Sequence, residues 1–241
     1  MKVFLSADME GTCGIAVWPE TERKDDRDYI PLQKQMTREV AAACQGALAA
    51  GAEEVLVKDA HDSARNILPA ELPRNIRMHR SWSGDLLSMM TGLDKDEYGA
   101  VFFTGYHAWA SCPGNPLSHT MNLRNEYVLI NGVRASEFLI NAYTAGYYKV
   151  PVALLTGDKE LCDFAKQMIP AITPCLSTRV SAAACSPCTP TRRWSASAPQ
   201  RKKLSRRPTS VRWSCPPILR LRSASVSTRS PIPSPSIPVP P

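Results

Sequence analysis

Lys2-Val3-Phe4-Leu5-Ser6-Ala7-Asp8-Met9-Glu10-Gly11 opens the chain with a short apolar strand, expected over Lys2 to Ser6, that runs straight into two carboxylates. The same pattern recurs twice. A second strand, Glu54 to Lys58, ends in Asp59-Ala60-His61-Asp62, and a third, Ala100 to Thr104, ends in Gly105-Tyr106-His107. Residues 33–50 are rich in helix formers, with Met36, Val40, Ala43, Ala47 and Ala50 on one face and Gly51 suited to the C′ position. Tyr127 to Ile130 followed by Asn131-Gly132 reads as a strand entering a type I′ hairpin. A helix over about Ser136 to Tyr148 and a strand from Pro151 to Thr156 follow; Asp158 then caps a helix to Met168, which Pro170 stops. Strands alternating with helices predict an α/β fold: a mainly parallel sheet with helices on both faces.

In such sheets, sites form outside the carboxyl ends of the strands. Three separate strands thus deliver Asp8, Glu10, His61 and His107 towards one edge, and Glu137, at the start of the helix after the hairpin, lies within reach of it. Carboxylates with imidazoles suit zinc or another divalent first-row metal, and a carboxylate can bridge two ions. Taken singly, each residue has a plainer reading. Asp8 and Glu10 fit a solvated turn, His61 a surface cluster with Asp59 and Asp62, His107 a packed polar side chain, and Glu137 an acid favoured by the helix dipole. Their convergence at strand ends is what points to a metal site.

Several blocks in order resemble the D-aminopeptidase family of dinuclear zinc peptidases over roughly residues 1–175. They are Asp8-Met9-Glu10-Gly11, Lys58-Asp59-Ala60-His61-Asp62-Ser63, Gly105-Tyr106-His107-Ala108, Leu117-Ser118-His119-Thr120-Met121 and Glu137 to Tyr148 followed by Val150-Pro151-Val152. The resemblance implies that Asp8, Glu10, His61, His107 and Glu137 bind two zinc ions, with Asp8 as the bridge. It implies that His119 is the catalytic histidine, and that short peptides with an N-terminal D-residue, typically D-alanine, are the substrates. It also implies a ring-shaped homo-oligomer, a decamer in the family. His119, beyond the Pro113 to Pro116 loop, reads as an exposed loop histidine without the resemblance, and His79 is assigned no role.

Composition divides the chain. Up to residue 163 there are 16 Lys and Arg against 22 acids; from 164 onward there are 13 Lys and Arg, no acid, no glycine and 14 of the 21 prolines. From about Leu176 the family pattern is lost, so residues 176–241 are expected to form a tail without a stable fold after an α/β domain over 1–175. Two origins compete: a genuine basic arm that binds nucleic acid non-specifically, or the product of a shifted reading frame, which the abrupt loss of Gly, Asp and Glu favours. A nucleic-acid-binding protein driven by the tail, or another metal-dependent hydrolase on the same ligands, are the alternatives to the peptidase. The tail's Cys185-Ser186-Pro187-Cys188 lacks a second pair, and Cys13, Cys44, Cys112 and Cys162 are scattered as in reduced cytosolic proteins. The N-terminal apolar run breaks after about four residues, too few for a secretory signal or a membrane span, so a soluble cytoplasmic protein is expected.

Overall fold

The computed structural model describes residues 1–24, 26–181, 184–187 and 221–225. Its centre is a seven-stranded sheet built from β1 (Lys2–Ala7), β2 (Glu54–Asp59), β3 (Ile76–His79), β4 (Tyr98–Tyr106), β7 (Val152–Asp158), β8 (Thr173–Ser181) and β9 (Ala184–Pro187), in the spatial order β3-β2-β1-β4-β7-β8-β9. Every pairing is parallel except that of β8 with β9. A small antiparallel sheet holds β5 (Asn125–Ile130) between β6 (Val133–Arg134) and β10 (Leu221–Ser225). Asn131 and Gly132 both take positive φ, 53° and 85°, as the expected hairpin turn requires.

The residues of β1 explain why both faces of the sheet are covered. Phe4 points into a core with Val101, Phe103 and Leu155 and with Phe138, Ala142, Leu161 and Ala165 of α2 (Glu137–Tyr147) and α3 (Lys159–Met168). Its neighbours Val3 and Leu5 point the other way, into a core with Val55, Val57 and Met36, Val40, Ala43 and Ala47 of α1 (Asp26–Ala49). A parallel strand buried on both sides reads as a continuous apolar run, which is what residues 3–5 are. The predicted α/β class, parallel sheet and two-sided helical cover are all present.

Differences lie in boundaries and edges. α1 starts seven residues before the expected 33, because Pro31 inside it reads as a breaker; Asp26 and Asp28 occupy its first turn, where the helix dipole favours acids. The alternating segment around His79 supplies the edge strand β3. The sheet does not stop at residue 175: β8 pairs with β7 as far as Thr178 and runs on to Ser181 against β9, although Pro174 within it argues against a strand from sequence alone. Within the expected tail, the described residues are the end of β8, β9 and β10; the other tail residues, including Cys188 and the Arg201 to Pro208 segment, lie outside the described residues. Among the described residues no helix is long and apolar enough to cross a membrane.

The parallel strands β1, β2, β4 and β7 end together, and two glycines let the chain turn there. A Cβ on Gly11 would fall on the carbonyl oxygen of Tyr106, and one on Gly105 (φ 68°) would strike the carbonyl of Asp8. The backbones meet so closely because Asp8 N–H donates to Thr104 O and Gly11 N–H to Gly105 O, both at 2.8 Å. Gly11→Ala is therefore expected to cost at least about 1–3 kcal/mol, read as a fall in the urea midpoint. Gly46→Ala, in α1 with open space around its Cα, should be neutral or stabilising. Equal midpoints for the two variants would contradict this packing.

Candidate metal centre

All six side chains singled out in the sequence meet at this edge. Asp8 and Glu10 follow β1, His61 follows β2, His107 follows β4, His119 lies in the connection to β5, and Glu137 begins α2. His61 Nδ1 stands 3.3 Å from Asp8 Oδ1 and 3.1 Å from Glu10 Oε2. His107 Nε2 is 3.7 Å from Asp8 Oδ2 and 3.8 Å from Glu137 Oε2. His119 Nε2 is 3.7 Å from Glu10 Oε1 and 3.8 Å from Glu137 Oε1. The side chains are buried, His119 being the most accessible at 14%.

Each imidazole is oriented by its other nitrogen. His61 Nε2 lies 2.9 Å from Thr21 O, His107 Nδ1 2.9 Å from Ala108 O, and His119 Nδ1 2.9 Å from Leu117 O. A ring N–H donated to a backbone carbonyl leaves the opposite nitrogen facing the carboxylates, which is how proteins present histidine to a metal. His119 also stacks on His107, with ring centroids 4.3 Å apart, and meets Trp18 edge-on.

Burial and proximity set the protonation of this cluster. Burial, with help from the Glu10 charge, lifts Asp8 to about 6 despite the pull of His61. Burial opposes ionisation of Glu10 as well, yet His61, His107 and His119 together hold it well below the usual carboxylate range. Burial likewise disfavours charged His107, but Glu137, Glu10 and Asp8 raise it to about 9. The acids likewise hold His61 well above the usual imidazole range, so both His61 and His107 sit where positive charge is favoured. His107 Nε2 and Glu137 Oε2 are buried without a hydrogen-bond partner among the described residues, each a cost of roughly 1–3 kcal/mol that a metal ion would remove. With bonds of ~2.0–2.2 Å, two ligands of one zinc are separated by at most ~4.4 Å. The 3.1–3.8 Å separations above meet that limit. Two overlapping groups, Asp8–Glu10–His61 and Glu10–His107–His119, satisfy the donor chemistry, so the residues fit a divalent ion.

Residues not assigned to the site from sequence hold it in place. Asp158, read only as a helix cap, does accept from Leu161 N–H at 2.9 Å, but its other oxygen accepts from Ala108 N–H at 2.6 Å, fixing the turn beside His107. Asn115 Nδ2 joins that oxygen to the carbonyl of Glu10. Asp59 accepts from the N–H groups of Asn66 and Ile67, and Asn66 Nδ2 reaches the carbonyl of His61. Glu39, on α1, accepts from Cys13 N–H at 2.9 Å and so anchors the loop that follows Glu10. An acid three residues after an apolar helix position carries no mark of such a role; only the packing of α1 under the loop reveals it. The cluster opens into a cleft of about 520 Å³ walled by Trp18, Trp82, Met89 and residues 121–124.

With this geometry in place, comparison with known proteins is decisive. The family model described as D-aminopeptidase matches residues 1–221. The chain belongs to the D-aminopeptidase family. D-aminopeptidase from Bacillus subtilis (strain 168) is 37% identical over 177 residues, which is 72% of this chain and 62% of that protein. The chain therefore spans less than two thirds of that relative's length. A solved structure, the Zn-dependent D-aminopeptidase DppA from Bacillus subtilis, described as a self-compartmentalizing protease, superposes with a TM-score of 0.73 at 32% identity. It covers 81% of this chain and 70% of its own.

The buried Glu39 yields a pH test. Burial raises its carboxyl to about 7, against the hydrogen bonds from Cys13 and Gln35, from 4.5 when unburied. The folded state therefore binds the proton more tightly than the unfolded chain. That contribution, about 3 kcal/mol, is fully present below pH ~4.5 and is lost as pH rises through ~7. Glu39→Gln should flatten the fall in stability between pH 5 and 7.5 relative to the unaltered chain, measured by urea unfolding across that range. Parallel curves would show that Glu39 is ionised throughout.

Proposed function

We propose that this chain is a zinc-dependent aminopeptidase that hydrolyses short peptides bearing an N-terminal D-residue, D-alanine above all. Two zinc ions would be held by Asp8, Glu10, His61, His107 and Glu137. The observation that carries the reading is the set of three imidazoles, each anchored on a backbone carbonyl and each turned towards three buried carboxylates. Asp8 offers one oxygen to the His61 side and the other to the His107 side, the disposition a bridging carboxylate needs. Zinc in such a site supplies Lewis-acid polarisation of a carbonyl and acidifies water to a pKa of about 7.

The chain's own groups do the rest. His119 is the most accessible of the three histidines and lines the cleft, so it is placed to take and return a proton during attack on the peptide bond and departure of the amine. Its ring is clamped between the His107 stack and the edge of Trp18, with Nδ1 on Leu117 O, so the proton is handled at Nε2. A cleft of about 520 Å³ accommodates a peptide of a few residues and excludes a folded chain. The D-residue preference, the second ion and a ring-shaped homo-oligomer, a decamer, rest on the family and its self-compartmentalizing member. Cytoplasmic residence belongs to the same proposal and accords with Cys44, Cys112 and Cys162 being free thiols.

Two measurements test this assignment. Asp8→Ala should lose most bound zinc by elemental analysis, whereas His79→Ala, on the edge strand β3, should retain it; equal zinc in the two variants would remove Asp8 from the site. His119→Ala should keep its zinc while turnover of a D-alanyl dipeptide falls ~10²–10⁴-fold. Zinc loss in that variant would instead make His119 a ligand alongside Glu10 and His107.

A further inference from the structure

The charges lining the cleft are unevenly distributed. Asp8, Glu10, Glu22, Asp62 and Glu137 contribute carboxylates to its wall, and among the described residues Arg124 alone contributes a Lys or Arg side chain. Arg124 is exposed, and no carboxylate among the described residues lies within ion-pair distance of its guanidinium. Arg77, by contrast, is paired with Glu54 and Asp96, and Arg134 lies over the Tyr127 ring. Asp8, Glu10 and Glu137 belong to the cluster itself; outside it, Glu22 and Asp62 repel an anionic ligand and Arg124 attracts one.

The backbone between His119 and Arg124 fixes how far that cation stands from the reacting centre. Met121 N–H donates to Glu137 Oε1, which pins the near end of the segment to the cluster. Five residue steps reach at most ~18 Å when fully extended. This segment is folded back on itself: Met121 has φ 65°, Thr120 and Asn122 form a bridge, and Arg124 N–H donates to Asn122 Oδ1 at 2.8 Å. The separation is therefore below that limit, and an extended di- or tripeptide spans ~7–10 Å.

We propose that Arg124 is a specificity-determining residue that receives the C-terminal carboxylate of a dipeptide or tripeptide whose amino end lies at the Asp8–Glu137 cluster. The assignment rests on the peptidase reading and adds to it the substrate class: short zwitterionic peptides with a free carboxyl terminus. A guanidinium suits the task because its planar fork can donate two parallel hydrogen bonds to a carboxylate. The cation then limits substrate length, since only a peptide whose terminus falls beside Arg124 gains the contact.

The test compares D-alanyl-D-alanine with its C-terminal amide on the zinc-loaded full chain. In the unaltered protein kcat/KM should favour the free carboxylate. Arg124→Gln should reduce the carboxylate-to-amide ratio of kcat/KM about 10–100-fold, mainly through KM, as expected for loss of a charge-assisted hydrogen bond. Arg124→Lys should restore part of that ratio. If Arg124→Gln leaves the ratio unchanged while the unaltered protein cleaves both substrates, the carboxylate subsite is wrong and the peptidase reading stands. If the unaltered zinc-loaded protein cleaves neither, the peptidase reading fails and takes the subsite with it.

Discussion

Three carboxylates and three imidazoles are buried together at one edge of the sheet, and the structure there depends on making that tolerable. Like charges at these distances in a low-dielectric setting repel strongly unless opposite charges intervene. The chain meets the requirement by fixing one nitrogen of each histidine on a backbone carbonyl, so that the other is committed to the acids. His61 in particular cannot rotate away without giving up Thr21 O and its contacts with Asp8 and Glu10. The fold's own hydrogen bonds thus orient the imidazoles that would face a divalent cation.

That order is inherited from the backbone. Parallel strands end in register, so Asp8, Asp59, Tyr106 and Asp158 occupy neighbouring strand ends. Gly11 and Gly105 allow the β1 and β4 ends to touch, and Ser177 at the next strand donates through its hydroxyl to the carbonyl of Gly11. Beneath the site, Ser6 Oγ, Tyr106 Oη and Asn141 Nδ2 form a buried chain that ties β1, β4 and α2 together. Asn141 lies one turn along α2 from Glu137, so the same contact sets the helix position from which Glu137 reaches the cluster.

The sheet was legible because its strands are apolar runs ending in polar turns, and Asp8, Glu10, His61 and His107 were legible because each follows such a run, whereas Glu137 stood out only as an acid opening the helix after the hairpin. The order of the strands in space was not: β1 sits centrally between β2 and β4, a consequence of crossovers that periodicity does not encode. The start of α1 was hidden by Pro31, and β8 by Pro174, since a local breaker outweighs neighbours when tertiary packing is unseen. The walls of the cleft were also hidden. Trp18 and Trp82 are far apart in the chain, and what brings Trp82 to the mouth is the contact of its ring with Lys58 Nζ and of its indole N–H with Asp62 O.

The acids of this edge show why residue type and position together still do not identify a ligand. Asp8 and Asp59 both end or follow adjacent parallel strands, and both are buried. Asp59 Oδ2 accepts two backbone N–H groups and its Oδ1 the Asn66 amide, so its lone pairs are spent on the turn that carries His61. Asp158 is spent in the same way on α3, Ala108 and Asn115. Of the backbone N–H groups among the described residues, Asp8 receives Met9 alone and Glu137 Met121 alone, which leaves an oxygen of each directed at an imidazole. The number of backbone donors within reach separates the scaffold carboxylates from those able to bind an ion. That number is set by the turn that follows each strand: residues 59–67 wrap back over Asp59, whereas the chain after Asp8 is drawn away towards β4 by the contact of Gly11 with Gly105.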